Sequence, residues 1–314
     1  MAAPATAEEI RDVNVRYHDV AAEEYDAKWG IDFGDIGRQQ VLGKVTKALG
    51  AHPGPFERSL EIGAGTGYFS LHLLREGIVR DATCTDLSPG MLATLERNAE
   101  RLALDVTTEP ADAEDLPFDD ASFDLVLGHA VLHHVPDLDR AFGECHRVLR
   151  PGGTLLFAGE PSRHGDRLAA IPKRAAVKAA PAWRAALRAR PASEDRHHHH
   201  HHHPGNGLRA GPDDHALESQ VDVHAFDPGR LSGCARRAGL TDAKVRGEEL
   251  LANWFGWASR TLEASAEPGS VPWRWKLFAY RGYRFLQDVD RRLLEPRLPP
   301  AIFYNLIVSA RKPA

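Results

Sequence analysis

One short stretch restricts this chain more than any other. An apolar run, Ser59 to Ile62, reads as a buried strand. Gly63, Gly65 and Gly67 then stand at every second position, and a helical pattern follows with Phe69, Leu71, Leu73 and Leu74 as its apolar positions. Glycines so spaced let the backbone turn tightly and come close to a ligand, an approach that a Cβ would prevent. The helix that opens just beyond them offers free N–H groups and the positive end of its dipole to an anionic group. Strand, glycine turn and helix together describe a dinucleotide-type site.

The spacing separates two uses of such a turn. A nicotinamide-binding turn is G-x-G-x-x-G, with its third glycine three residues after the second. Counted from Gly65, that place holds Tyr68. The pattern present is E-x-G-x-G-x-G, from Glu61 to Gly67. It resembles the first motif of the class I S-adenosylmethionine (SAM) methyltransferases, with Glu61 at the acidic position. That resemblance implies cofactor contacts from Glu61, Gly63, Ala64, Gly65 and Gly67.

Further motifs follow in order. Ala82-Thr83-Cys84-Thr85-Asp86 is a short strand ending in an acid, and Asp86 lies 21 residues beyond Gly65. A strand-end carboxylate at about 20 residues can accept from two ribose hydroxyls. Asp86 or Ser88 could instead cap the next helix, with Pro89 in its first turn. Leu87 and Met91 would flank an adenine. A third strand is expected over Asp105–Glu109. Next comes Asp112-Ala113-Glu114-Asp115-Leu116-Pro117-Phe118, which resembles the family's D-A/E-x-L-P-F stretch. By that likeness the Asp112 carboxylate and the Ala113 N–H meet the adenine edge, although an acidic surface loop would read the same.

Ser122–His129 is a strand, followed by Ala130-Val131-Leu132-His133-His134-Val135-Pro136-Asp137 and a helix to Leu149. Arg150-Pro151-Gly152-Gly153 turns into a strand over Thr154–Ala158 that ends at Gly159-Glu160-Pro161. This pair of motifs resembles the UbiE-like (methyltransferase type 11) branch of class I. Five motifs thus stand in family order across residues 59–161. The resemblance implies an α/β fold: a doubly wound, Rossmann-like, seven-stranded and mostly parallel sheet with an antiparallel last strand, plus helical insertions. It places residues 63–67, 86, 112–113, 129–134 and 160 at the carboxyl ends of the strands, with His129 beside the cofactor. His133, His134 and Glu160, together with His164, are the candidates for an acid–base role at the pocket mouth; for the two adjacent histidines, packing of the turn is the alternative.

The expected organisation is an N-terminal helical lid (1–55), the SAM-binding core (56–161), a basic insertion (162–225) and the rest of the sheet (226–314). The last part carries an aromatic-rich helical insertion over about 248–300. Residues 1–10 read as a frayed tail, and a helix is expected from Glu9 to Gly30. Within it Ala22-Glu23-Glu24-Tyr25-Asp26 resembles the family's lid sequence, so Tyr25 either folds over the cofactor or joins an apolar stripe. In the basic insertion Pro172, Pro181 and Pro191 divide an Ala/Arg/Lys-rich stretch, which predicts short amphipathic helices. Such a surface is either simply solvated or meets an acidic substrate or anionic lipid. His197 to His203 is a run of seven histidines, read as a loop and not as a catalytic metal site. The aromatics of 248–300 either pack as a core or wall a bulky substrate. Ala301–Ala310 is expected as an alternating last strand.

Composition removes other classes. The formal net charge is −5, so there is no global basic field to recruit nucleic acid. No run of about 18 apolar residues marks a transmembrane helix, and the N-terminus lacks the features of a signal peptide. Cys84, Cys145 and Cys234 are too few and too scattered for a disulfide or zinc framework, so a reducing cytoplasm is the expected setting. The function that follows from the resemblance is methyl transfer from SAM, leaving S-adenosylhomocysteine, to an oxygen or carbon of a small or lipid-like acceptor. The alternatives are SAM-binding without methyl transfer and a regulatory subunit of the same fold.

Overall fold

The computed structural model describes residues 6–22, 25–26, 31–51, 53–192 and 224–314. The seven-histidine run lies outside them. The chain groups into two compact units, one of residues 1–160, 208–245 and 307–314, the other of residues 161–207 and 246–306.

The first unit is built on βα alternation. β1 (Phe56–Ile62) leads into α3 (Tyr68–Arg75), β2 (Val79–Asp86) into α4 (Pro89–Leu102), and β3 (Thr107–Pro110) is followed by β4 (Phe123–His129). α5 (Leu138–Val148) leads to β5 (Leu149–Pro161). Two helices precede this core: α1 (Ala7–Ala21) and α2 (Asp35–Leu49). α7 (Pro228–Arg237), β6 (Thr241–Glu248) and β7 (Asn305–Arg311) complete the set around the sheet. Strand order is β3-β2-β1-β4-β5-β7-β6. The pairs β1–β2, β1–β4, β2–β3 and β4–β5 are parallel.

β7 runs the other way. Gly152 N–H donates to Lys312 O at 3.0 Å, whereas Ser162 N–H donates to Tyr304 O at 2.8 Å, so the two chains run antiparallel. The order reverses at β1, flanked by β2 and β4, and a doubly wound sheet offers its ligand crevice at that point, beyond the carboxyl ends of its strands. Phe69, Leu73, Cys84, Leu95, Leu125, Leu127, Leu156 and Ile307 form the core behind it.

Several local expectations change. The first helix begins at Ala7, ahead of Glu9, because Thr6 and Glu9 form a capping box: Glu9 N–H donates to Thr6 Oγ1 and Thr6 N–H to Glu9 Oε2. The helix it starts ends at Ala21, with residues 25–26 helical again beyond it. The third strand begins at Thr107, not Asp105. β5 begins at Leu149, since Gly152 and Gly153 pair with Lys312 instead of only turning. β7 does not alternate: Leu306 to Ala310 are all buried, as an internal strand covered on both faces requires. Residues 300–302 form a 3₁₀ turn ahead of it.

The second unit holds α6 (Arg163–Leu187), α8 (Leu251–Ala264) and α9 (Trp273–Val289). α6 is one helix of 25 residues running through Pro172 and Pro181, not a series of short ones. An interior proline costs about 3 kcal/mol. Packing offsets that cost: Gly165, Ala169, Ala176 and Ala180 form a narrow buried stripe, and α6 lies against α8. At Gly165 the approach is so close that a Cβ would stand 1.9 Å from Phe303 O. α9 lies against α8, yet none of its residues is fully buried. The aromatic stretch is therefore only partly a core.

Candidate functional site at the carboxyl ends of the central strands

The glycine turn lies between β1 and α3, and each glycine has its own reason. Gly63 (φ +61°) and Gly67 (φ +89°) serve packing: a Cβ on Gly63 would meet Val131 Cγ2 at 2.2 Å, and one on Gly67 would meet Leu71 and Leu95 at 2.9 Å. Gly65 (φ +54°) is different, since a Cβ there would meet nothing within 4 Å. The turn thus presents open space at Gly65 and closed packing on either side. Ala64 is buried and donates its N–H to Thr85 O at 2.8 Å, which ties the turn to the end of β2.

Asp86 completes that tie. Its Oδ2 accepts from Gly65 N–H at 2.9 Å and its Oδ1 from Ser88 N–H at 2.9 Å. The side chain is only partly buried, and each oxygen keeps a second acceptor position. Capping of α4 belongs to Ser88, whose Oγ accepts from Met91 N–H. Leu87 is partly open. Met91 is not: it is fully buried, so its side chain has no surface to give an adenine ring.

Glu61 also sits differently from its expected place. It is 1% exposed beneath the turn, and its Oε2 accepts from Ser70 N–H in the first turns of α3. It holds the helix to the strand from behind. Burial, with Asp86 nearby, pushes its carboxyl up to about 7. The Cys84 thiol beside it is fully buried and pushed up by the same cause.

The β3–β4 loop brings Asp112 and Ala113 to the same edge. Asp112 Oδ1 accepts from Glu114 N–H at 2.9 Å, and its Oδ2 lies 2.6 Å from Arg11 Nε. Arg11 Nη2 also meets the buried Glu114 at 2.5 Å. Two acids fasten the N-terminal stretch further, Asp19 on α1 and Asp26 beyond its end. Asp19 accepts from Ser88 Oγ and from Gly90 N–H, and Asp26 accepts from Thr66 Oγ1 at 2.6 Å and from Asn98 Nδ2. Arg11, Asp19 and Asp26 were not among the sequence candidates. The sequence carries no spacing signal for them; only Asp26 adjoins a candidate, Tyr25. Tyr25 stands 6.1 Å from the His18 ring.

The adjacent histidines form a 3₁₀ turn, Leu132–His134, at the end of β4. Glu160 organises it. One carboxylate accepts from Val131, Leu132 and His133 N–H groups and meets His133 Nδ1 at 3.0 Å, while being 0% exposed. With every approach taken by these donors, Glu160 is an anchor for the turn and not a free base. His134 lies 3.9 Å from His133 and 5.5 Å from His18, ring to ring. His129 stacks on Phe69 at 4.7 Å and lies against Gly159, where a Cβ would stand 2.7 Å from its Nε2. His164 is exposed on the first turn of α6, in the other unit. Among the described residues no group of His, Cys, Asp and Glu could hold a metal ion.

These residues suit a nucleoside with a charged tail. Two carboxylates with spare acceptor positions can take ribose hydroxyls (Asp86) and an exocyclic amine (Asp112), and the open face of Gly65 admits a ligand at the helix N-terminus.

Comparison with known proteins agrees with this geometry. Residues 60–157 match a family described as "Methyltransferase domain". The malonyl-[acyl-carrier protein] O-methyltransferase of Methylococcus capsulatus is 39% identical over 124 residues, which is 38% of this chain and 44% of that protein. The demethylmenaquinone methyltransferase of Thermus thermophilus is 38% identical over 105 residues, 33% of this chain and 48% of that one. The chain thus spans about half the length of these curated relatives. In fold it is similar to phosphoethanolamine N-methyltransferase 2 of Haemonchus contortus, with a TM-score of 0.57 at 18% identity, covering 99% of this chain and 61% of that one. Residues 60–157 thus match a methyltransferase domain, and the proteins this stretch is similar to include SAM-dependent methyltransferases of the UbiE-like kind.

Proposed function

We propose that this chain transfers a methyl group from SAM to an oxygen or carbon of a small or lipid-like acceptor. The observation that carries this reading is the open cradle at Gly65, bounded by Asp86 and set at the carboxyl end of β1 in a methyltransferase domain. Two relatives point to the acceptor class, one by its name an O-methyltransferase of a malonylated carrier protein, the other a methyltransferase of demethylmenaquinone.

Bound SAM would supply a methyl carbon made electrophilic by its sulfonium. The chain's own part is alignment and exclusion of water. Asp86 accepts from the ribose hydroxyls while its other lone pairs keep Gly65 in place. Asp112 and the Ala113 N–H read the adenine edge, with Arg11 holding Asp112 in position. α1 closes over this edge through Arg11 and Asp19, and Tyr25 and Asp26 stand beyond its end. Where the acceptor is a hydroxyl or an acidic carbon, its proton passes to the cluster of His18, His133 and His134.

Calorimetric titration with SAM and separately with NADH tests the cofactor, and methyl release from labelled SAM into quinol, phenol and carboxylate acceptors tests the transfer. Micromolar SAM binding without an NADH response supports the reading. Absence of SAM binding in folded protein rejects it.

A further inference from the structure

The helical unit carries a surface of unusual charge. Over its described residues, 161–192 and 246–306, Lys and Arg number 17 and Asp and Glu eight, in a chain whose net charge is −5. Several of the acids are moreover turned inward, while Asp288 and Glu267 stay at the surface in ion pairs with Arg291 and Arg190. Asp290 is fully buried and accepts from the N–H groups of Leu250, Leu251 and Ala252. Glu248 is buried as well; Glu249 accepts from Tyr283 Oη and Gln287 Nε2, and Glu263 from Trp275 Nε1. What faces outward therefore keeps an excess of cations.

α9 adds aromatic rings to that charge. Trp273, Phe278 and Phe285 are 68%, 56% and 67% exposed, far above what large apolar side chains usually show. At about 100° per residue, Trp273, Arg274, Phe278, Arg281 and Phe285 fall on one arc of the helix, and the one acid on that arc, Asp288, is paired with Arg291. Arg274 and Arg281 are exposed between the rings. The opposite side carries Trp275, Tyr283 and Leu286, and the bonds of Trp275 to Glu263 and of Tyr283 to Glu249 fasten it inward.

We propose that this face of α9 docks on an anionic phospholipid surface. Rings and guanidinium groups alternating on one convex helix meet two layers at once. The rings enter the headgroup–acyl boundary, and the cations meet phosphate. Among the described residues no helix is long and apolar enough to cross a membrane, so the contact is peripheral at this helix. A protein partner would have to offer an apolar pocket for each of three rings beside its acids, whereas the headgroup–acyl boundary takes rings and cations in any lateral arrangement, which is why a lipid surface fits better.

The test is co-sedimentation of the full chain with sucrose-loaded vesicles in EDTA at 0.1 M NaCl. One set is equimolar phosphatidylglycerol and phosphatidylcholine, the other phosphatidylcholine alone. The chain should pellet with the anionic vesicles only. Trp273→Ser/Phe278→Ser/Phe285→Ser and, separately, Arg274→Glu/Arg281→Glu should each weaken that binding at least tenfold. Both should retain the wild-type far-UV spectrum and bind SAM as the wild type does, which keeps this test independent of the methyltransferase reading. No pelleting with anionic vesicles, or equal pelleting by both variants, overturns the proposal. So does retention of the wild-type chain by an acidic acyl carrier protein without any vesicle binding, which would assign the face to a protein partner.

Discussion

Glu61→Gln should make this protein more stable in mild alkali. Glu61 is fully buried under the glycine turn, with Ser70 N–H donating to its Oε2. Burial raises its carboxyl from 4.5 to about 7. Below pH 4.5 folded and unfolded chains both carry the proton, and the group does not favour either. Between 4.5 and 7 the unfolded chain releases its proton while the folded chain keeps it, so stability falls with rising pH. Above 7 the full cost is present. At 1.36 kcal/mol per tenfold in affinity for the proton, it is about 3 kcal/mol. Glutamine keeps an oxygen for Ser70 N–H and removes the ionisation, while its amide N–H₂ gains a buried donor to satisfy, which returns about 1 kcal/mol. The variant should therefore be about 2 kcal/mol more stable than wild type at pH 8 and slightly less stable at pH 5. Urea unfolding at half-unit steps from pH 4.5 to 8.5 reads this directly. A stability difference that does not change with pH, or a variant weaker at pH 8 than at pH 5, would refute the buried-carboxyl argument.

Four other outcomes follow from the same contacts. Asp86→Ala should lower SAM affinity by about ten- to a hundredfold in calorimetry, since charge-assisted bonds contribute about 1.5–3 kcal/mol; unchanged affinity in folded protein removes Asp86 from the site. Gly63→Ala should unfold at clearly lower urea than Gly65→Ala, because only the former drives a Cβ into Val131, and both bear the left-handed penalty of about 1–2 kcal/mol. Arg11→Ala should cost about 2 kcal/mol by leaving Glu114 buried without its cation, and hydrogen exchange should show faster opening of α1 while α3 is unaffected. Glu160→Gln should destabilise by about 2 kcal/mol through the loss of one of its two accepting oxygens, with SAM affinity nearly intact; unchanged stability would count against the anchoring role.

Much of the site was legible because its motifs are local. The strand, the three glycines and Asp86 lie within 28 residues, and positive φ at each glycine is a property of a single position. Side-chain direction was not legible. Glu61 and Met91 stand in motif positions, yet both are buried, because β1 is covered on both faces from Ser59 to Ile62 and Met91 is on the buried side of α4. Glu160 shows the same limit. Its acid looked available in the sequence, and only the fold brings residues 131–133 onto it. The clamp by Arg11, Asp19 and Asp26 depends on contacts 40 to 103 residues apart, which no spacing rule reveals.

The sequence by itself determined the βα alternation, the glycine turn and the placing of Asp86 at a strand end, since periodicity and turn chemistry act over a few residues. Tertiary structure decided what those residues face. It decided that α6 runs unbroken through two prolines, because a stripe of small residues packs against α8 and offsets the cost. It decided that the aromatic helix α9 leaves its rings in water. Burial depends on which distant segments meet, and a residue's own neighbours in sequence do not carry that information.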